Sequence, residues 1–270
     1  MFVPFVLYIK PLYLLYNDNY KKIVPGREIY HSIYKSKQEN NSKIILLGDS
    51  VGNQLFSNKK NNDTINSLAC NQAISMAGQY ILLKNYINEG NKFDKVYLIF
   101  TPFSFKNNLD QVYTYHYFIK PFYLEEHKKE FTEIVTQQIN KIPYISFSRE
   151  PYILTSSWAP DFISKDEINN EFLSAISIEY LIKIKKLSIK HNFEFIILPT
   201  PICLSKKEDV KKMDKNKIIK NNLSHEFKRY FQNMIYLEDN FFVDGTHLKK
   251  EKLDYFVKYY KNILTKEQMN

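Results

Sequence analysis

The stretch IILLGDSVGNQLF, residues 44–56, joins four consecutive apolar residues directly to Gly-Asp-Ser. A short apolar run of this kind is typical of a strand buried on both faces of a parallel sheet. A serine at the end of such a strand either caps the next helix or lies exposed at the sheet edge as a reactive side chain. The chain has 6 glycines in 270 residues, so each of them is informative, because a glycine often marks a backbone position that needs a positive φ or a close approach to another element.

Further apolar runs repeat this pattern along the chain. Strands are predicted over residues 44–47, 65–70, 96–100, 193–198 and 234–237. Helical patterns cover residues 77–88, 166–191, 206–231 and 248–264, and the last of these places its apolar residues on one face. Strands that alternate with helices predict a single doubly wound α/β domain with a parallel sheet over residues 1–270.

Residues 1–42 form a predicted N-terminal arm before the first strand. Its start, MFVPFVLYIKPLYLLY, is apolar, but it is too short for a spanning helix and is interrupted by Pro4, Lys10 and Pro11. It lacks the basic start and the small-residue cleavage site of a signal peptide. We expect a strand or a packing arm of the domain, with a membrane-associating arm or the remnant of a longer anchor as the alternatives. The localisation stays open between cytoplasm and cell envelope.

Residues 102–165 form a predicted insertion after the third strand. They are rich in aromatic residues, as in VYTYHYFIKPFY at 112–123, and they contain Trp158, the single tryptophan. A long excursion from the carboxyl end of a strand is where an α/β protein builds a lid or a substrate wall. A structural subdomain without a ligand is an equal alternative.

The charge and the cysteines exclude some classes of function. The net charge is +9, but the lysines are dispersed and the arginines are limited to Arg27, Arg149 and Arg229. Base recognition favours arginine, so we predict no nucleic-acid partner. Cys70 and Cys203 are either free thiols or one disulfide, and no cysteine or histidine cluster has the spacing of a metal site.

Three residue types that carry acyl-transfer chemistry follow predicted strands. Ser50 follows the first strand, and Asp244 and His247 follow the last. Because ligands of an open α/β sheet bind beyond the carboxyl ends of its strands, we expect these residues to meet at one edge. A serine hydroxyl needs a base, which His247 supplies, and Asp244 orients the imidazole. The sequence therefore predicts a Ser-His-Asp triad, in which Asp49 rather than Ser50 caps the following helix.

These residues also carry a resemblance to a known superfamily. GDS after the first strand and DxxH before the last helix resemble the first and last motif blocks of the SGNH/GDSL hydrolases. The resemblance covers residues 43–101 and 190–264. It implies a flavodoxin-like three-layer sandwich, a triad with an oxyanion hole, and either ester hydrolysis or O-acyl transfer. No metal or organic cofactor is implied, and no oligomeric state is predicted.

The block after the second strand is NQAISMAG, residues 71–78. In the superfamily, a glycine amide of this block contributes to the oxyanion hole. That glycine falls on Met76 here, or the role moves to Gly78. Asn71 opens the block and is a further candidate for contact with the oxyanion or the substrate.

The third block departs further from the superfamily. Its usual asparagine, an oxyanion donor, is replaced by Ser104, or the role passes to Asn107 or Asn108. Loss of one such donor costs about 3–4 kcal/mol of transition-state stabilisation. Divergent third blocks resemble those of members that act on polysaccharides as O-acetyl esterases or O-acyltransferases, which implies a carbohydrate or acylated small-molecule substrate. A non-catalytic glycan-binding or accessory protein is the alternative.

Overall fold

A computed structural model describes residues 9, 12, 15, 27–60, 64–109, 117–118, 126–140 and 170–266. The apolar start of the arm, residues 1–16, lies almost entirely outside these ranges. The same is true of most of the aromatic stretch 112–123 and of Trp158. The expectations for these segments stay predictions.

Four parallel strands form the main sheet. They are β1 (Ile44–Gly48), β2 (Ile65–Ser67), β3 (Lys95–Phe100) and β4 (Glu194–Pro199). Their order is β2-β1-β3-β4, and all three pairings are parallel. The predicted α/β class with a parallel sheet is therefore confirmed, together with its first four strands.

Helices connect and flank these strands. They are α1 (Arg27–Ser36), α2 (Ser50–Leu55), α3 (Ser75–Asn88), α4 (Glu133–Asn140), α5 (Ala175–His191), α6 (Lys207–Lys212), α7 (Asn216–Lys220), α8 (Ser224–Gln232) and α9 (Lys250–Lys266). In the described residues, no helix is both long and apolar enough to cross a bilayer.

The sheet lies between two apolar clusters. Ile45 and Leu47 point to one face, where they join residues of α3, α5 and α8. Ile44 and Leu46 point to the other face, where they join residues of α2 and α9. All four side chains are fully buried, which explains why β1 is apolar at every position rather than at alternate ones. The described chain thus has three layers.

Two predicted helices have different bounds in the structure. The helix predicted from residue 166 begins at Ala175, because the Ser174 hydroxyl accepts the Ser177 N–H and caps it. The single helix predicted over 206–231 is wrong, since α6, α7 and α8 replace it. Met213 is extended at the end of α6, and Asn222 adopts a φ of 55° before α8.

The fifth predicted strand does not join the main sheet. Tyr236–Leu237 forms β6, which pairs in parallel with β5 (Ile202–Cys203) in a separate two-stranded sheet. β4 ends at Pro199, which cannot donate to a ladder. The Ile202 N–H then donates to the carbonyl of Ile235, 2.9 Å away.

The glycines on either side of Ser50 allow α2 to lie close to the sheet. A Cβ at Gly48 would lie 2.7 Å from the Ile99 carbonyl oxygen, and one at Gly52 would lie 2.9 Å from it. Both distances are too short for any other residue without a shift of the β3 backbone. The two cysteines, Cys70 and Cys203, are free and buried.

Candidate active site

Ser50 begins α2 directly after β1 and is partly exposed. The cap of this helix is Asp49, whose Oδ1 accepts the N–H groups of Val51 and Gly52 at 3.0 and 3.1 Å. Because Asp49 occupies these donors, the hydroxyl of Ser50 is left for a different contact. The prediction that Asp49 caps this helix is confirmed.

Ser50, His247 and Asp244 form one chain of hydrogen bonds. His247 Nε2 lies 2.9 Å from Ser50 Oγ, and His247 Nδ1 lies 2.8 Å from Asp244 Oδ2. With the Nδ1 proton donated to the carboxylate, Nε2 accepts the serine proton. The structure thus brings Ser50 into contact with His247, which lies 197 positions later in the sequence.

Residues 244–247, called the triad turn below, are held by their own backbone. Asp244 Oδ1 accepts the N–H groups of Thr246 and His247 at 3.0 and 2.7 Å. Gly245 adopts a φ of 74°, a conformation that favours glycine. The hydrogen bond from the His247 N–H is the main cause that lowers the pKa of Asp244 to about 2. The carboxylate is therefore charged at neutral pH.

Gln54 connects the triad turn to the helix that carries Ser50. Its Nε2 donates to the Leu248 carbonyl at 2.7 Å, and its Oε1 accepts the Leu248 N–H at 3.0 Å. Gln54 lies one helical turn after Ser50, and Leu248 directly follows His247. These two hydrogen bonds fix His247 and Ser50 relative to each other. Sequence reasoning missed them, since a glutamine in a short helix gives no motif signal.

Asp49 also connects β1 to the end of β3. Its Oδ2 accepts the Thr101 N–H and the Ser104 hydroxyl, each at 2.7 Å. Ser104 is 1% exposed, and its hydroxyl also contacts Gln72 Oε1 at 3.0 Å. Burial raises the pKa of Asp49, while the hydrogen bonds from Thr101, Ser104 and Gly52 favour its charged form. Ser104 is thus part of this buried network. This differs from the prediction, in which its hydroxyl contacts the oxyanion or the substrate.

Gly78 is placed inside α3 and is buried. A Cβ at this position would lie 2.5 Å from Ile74 Cβ, so packing against Ile74 explains why the position is glycine. The oxyanion contact of Gly78 stays a prediction. Met76 lies in the first turn of the same helix and is buried as well. Ser75, directly before it, has a φ of 52°. For a residue other than glycine this conformation costs on the order of 1 kcal/mol, and such strain is common near functional sites.

The candidate asparagines have other partners. Asn71 Nδ2 donates to Glu28 Oε1 at 2.9 Å, and Asn107 Nδ2 donates to the Gln72 carbonyl at 3.2 Å. Asn108 is 8% exposed. These contacts hold the loops after β2 and β3.

The described residues contain no group of three or more histidine, cysteine, aspartate or glutamate side chains arranged to hold a metal ion. Comparison with known proteins finds no family model that matches this chain and no curated protein of similar sequence.

Proposed function

We propose that this chain is an SGNH-type serine esterase or O-acyltransferase that acts on an acylated carbohydrate. The observation that carries the proposal is the continuous chain of hydrogen bonds from Ser50 Oγ through His247 to Asp244, at 2.9 and 2.8 Å. A nucleophile, its base and the group that orients the base are thereby present in the order that acyl transfer requires.

In the proposed reaction, Ser50 Oγ attacks the ester carbonyl carbon while His247 Nε2 takes the hydroxyl proton. The tetrahedral intermediate collapses, the bond from carbonyl carbon to alcohol oxygen breaks, and His247 returns the proton to the alcohol. Water or a sugar hydroxyl then attacks the acyl-serine, again with His247 as base. The second intermediate collapses, the bond from carbonyl carbon to Ser50 Oγ breaks, and His247 returns the proton to Oγ, which leaves free Ser50 and an acid or a new ester. Asp244, charged at neutral pH, stabilises the imidazolium in both halves.

The oxyanion donors in this proposal are backbone amides. The Ser50 N–H lies at the start of α2, where helix amides and the helix dipole favour a negative charge. The strained turn at Ser75 precedes the amide of Met76, the position at which the superfamily has its glycine. Because Ser104, Asn71 and Asn107 are bonded elsewhere, the proposal assigns them no direct contact with the oxyanion.

The topology supports the same assignment. The strand order β2-β1-β3-β4 agrees with the first four strands of the flavodoxin-like arrangement. Ser50 follows β1 at the carboxyl edge of the sheet, where ligands of doubly wound folds bind. The carbohydrate substrate, and acetyl as the acyl group, come from the resemblance of the third block and from the aromatic composition of residues 102–165.

Hydrolysis of p-nitrophenyl acetate tests the proposal. The wild type is compared with Ser50→Ala and with Ser57→Ala, which removes a serine hydroxyl just beyond the end of α2. We expect turnover by the wild type and Ser57→Ala and a fall to background in Ser50→Ala. Equal turnover by all three proteins would contradict a role for Ser50.

A second candidate is a non-catalytic glycan-binding or accessory protein. The observation in its favour is that Ser104 replaces the asparagine donor and bonds to Asp49 instead. This candidate predicts that the folded wild type neither turns over p-nitrophenyl acetate nor reacts with a fluorophosphonate, yet retains glycan binding.

A further inference from the structure

A narrow cleft lies beside the triad turn, at the carboxyl ends of β3 and β4. Phe103, Thr200, Lys206 and Thr246 are among the residues that line it. Phe103 follows β3 and Thr200 follows β4, so the cleft opens at the same sheet edge as the triad. The acyl-transfer steps above use none of these side chains.

The ammonium of Lys206 is held at this cleft. Its Nζ donates to Thr246 Oγ1 at 3.2 Å and lies 5.4 Å from the centre of the Phe103 ring. The Lys206 side chain also packs against Gly245, because a Cβ at that position would lie 3.6 Å from both Cε and Nζ of Lys206. The cation is therefore positioned on the triad turn by a hydroxyl and an aromatic ring, two neutral groups.

The neighbouring carboxylates are engaged by other groups. Asp244 belongs to the triad, and Asp239 accepts hydrogen bonds from Cys203 Sγ and the Ser205 N–H at 2.7 and 3.1 Å. Within the part of the chain that the structure describes, no carboxylate lies within ion-pair distance of Lys206. The Lys206 ammonium thus lies next to the triad turn, and no carboxylate of the described residues, Asp244 included, forms an ion pair with it.

Thr200 adds a second polar group to the cleft. Its side chain is fully buried, and its Oγ1 finds no hydrogen-bond partner among the described residues. A buried hydroxyl without a partner costs free energy unless a ligand or water satisfies it. The cleft beside Thr200 has room for about one water molecule, which can satisfy this hydroxyl. The partly exposed Lys206 ammonium beside the cleft matches the acceptor oxygens of a carboxylate.

We propose that the Lys206 ammonium beside this cleft binds a carboxylate on the alcohol part of the substrate, so that the substrate is an acylated acidic sugar. The inference rests on the proposed function for the position of the ester. His247 returns its proton to the departing alcohol, and Lys206 is anchored to the turn that carries His247. The alcohol part, rather than the acyl part, therefore faces the ammonium.

Two acetate esters that differ in charge but not in shape test this assignment. The probes are 4-acetoxybenzoate and 4-acetoxybenzamide, compared in the wild type, Lys206→Met and Lys206→Arg. Lys250→Met is the matched control, because Lys250 is exposed at the start of α9, near the triad turn. We expect the wild type to favour the benzoate about tenfold in kcat/KM, which is typical of one charge-assisted hydrogen bond. Lys206→Met abolishes this preference, while Lys206→Arg and Lys250→Met keep it.

Three outcomes would overturn the proposal. The first is a charge preference that Lys206→Met leaves unchanged. The second is a preference that Lys250→Met reduces equally, which indicates a general field of the basic surface. The third concerns 4-nitrophenyl hemisuccinate and 4-nitrophenyl butyrate, two esters that differ in charge on the acyl part. A Lys206-dependent preference confined to this pair would place the carboxylate on the acyl part rather than on the alcohol part.

A binding measurement separates this proposal from the proposed function. Calorimetric titration of Ser50→Ala, with and without Lys206→Met, uses the same benzoate and benzamide and needs no turnover. Tighter binding of the benzoate that depends on Lys206 supports the carboxylate site, even if the wild type hydrolyses no ester and the esterase proposal fails. Equal binding of both probes overturns the site, even if Ser50 proves to be a working nucleophile.

Discussion

Replacement of Asp49 by asparagine tests the buried network that supports the nucleophile. Each carboxylate oxygen accepts two hydrogen bonds: Oδ1 from Val51 and Gly52, and Oδ2 from Thr101 and Ser104. An asparagine has one acceptor oxygen, so its amide nitrogen must face one of these pairs of donors. We expect Asp49→Asn to fold less stably and to misplace the adjacent Ser50.

The loss of stability in Asp49→Asn is worked out for the more favourable of the two orientations of the asparagine amide. The amide oxygen keeps Val51 and Gly52, and the amide nitrogen faces Thr101 and Ser104. The Ser104 hydroxyl can turn and accept, but the Thr101 N–H cannot. One buried donor without a partner costs about 1–3 kcal/mol, and the remaining bonds lose their assistance by charge. The free energy of unfolding should therefore fall by about 3 kcal/mol.

Urea unfolding at neutral pH measures this difference. Asp94→Asn is the matched control, since Asp94 is exposed and the same change there should stay within about 0.5 kcal/mol. Ser104→Ala removes one donor and leaves three N–H groups on Asp49, so it should cost about 1 kcal/mol. A loss below about 1 kcal/mol for Asp49→Asn would refute the reasoning, because it would mean that the carboxyl is neutral and already donates to Ser104.

Three further predictions concern the triad and its supports. Gln54→Ala should lower kcat for p-nitrophenyl acetate about tenfold or more with little change in KM, because the triad turn loses both bonds to α2; an unchanged kcat would exclude a positioning role. Gly78→Ala should reduce the free energy of unfolding by about 1–2 kcal/mol, since the clash with Ile74 outweighs the helix propensity of alanine; a stabilised variant would contradict the packing account. Asp244 has a pKa near 2 when folded and about 4 when unfolded, so its contribution to stability is present above pH 4 and is lost as the pH falls towards 2. In urea unfolding, the difference between wild type and Asp244→Asn should shrink over that window, and a constant difference would argue against the lowered pKa.

The sequence predicts the parts of this molecule that depend on local pattern. The strand β1 is recognisable because its residues are apolar. The residues that directly follow it in the sequence must lie at its carboxyl end. Ser50 and His247 were predicted to meet because both follow strands at one sheet edge. The tight turn from Asp244 to His247 likewise needs only four consecutive residues.

The parts that depend on packing between distant segments were not predictable in this way. Ser104 stands where the superfamily has a donor, but its hydroxyl donates to the buried carboxyl group of Asp49, which lies between β1 and α2. Gly78 matches a motif position, yet its neighbour Ile74 fills the space beside it. Residues 206–231 have a helical composition, but the extended residue Met213 and the left-handed Asn222 divide them into three helices.

The most direct test of the account is covalent labelling with a fluorophosphonate, followed by identification of the modified peptide by mass spectrometry. The account predicts one adduct on Ser50, absent in Ser50→Ala, retained in Ser57→Ala and formed much more slowly in His247→Ala. A folded wild type that takes no label would contradict the assembled nucleophile. A label on Ser50 that forms at the same rate without His247 would contradict the proposed base.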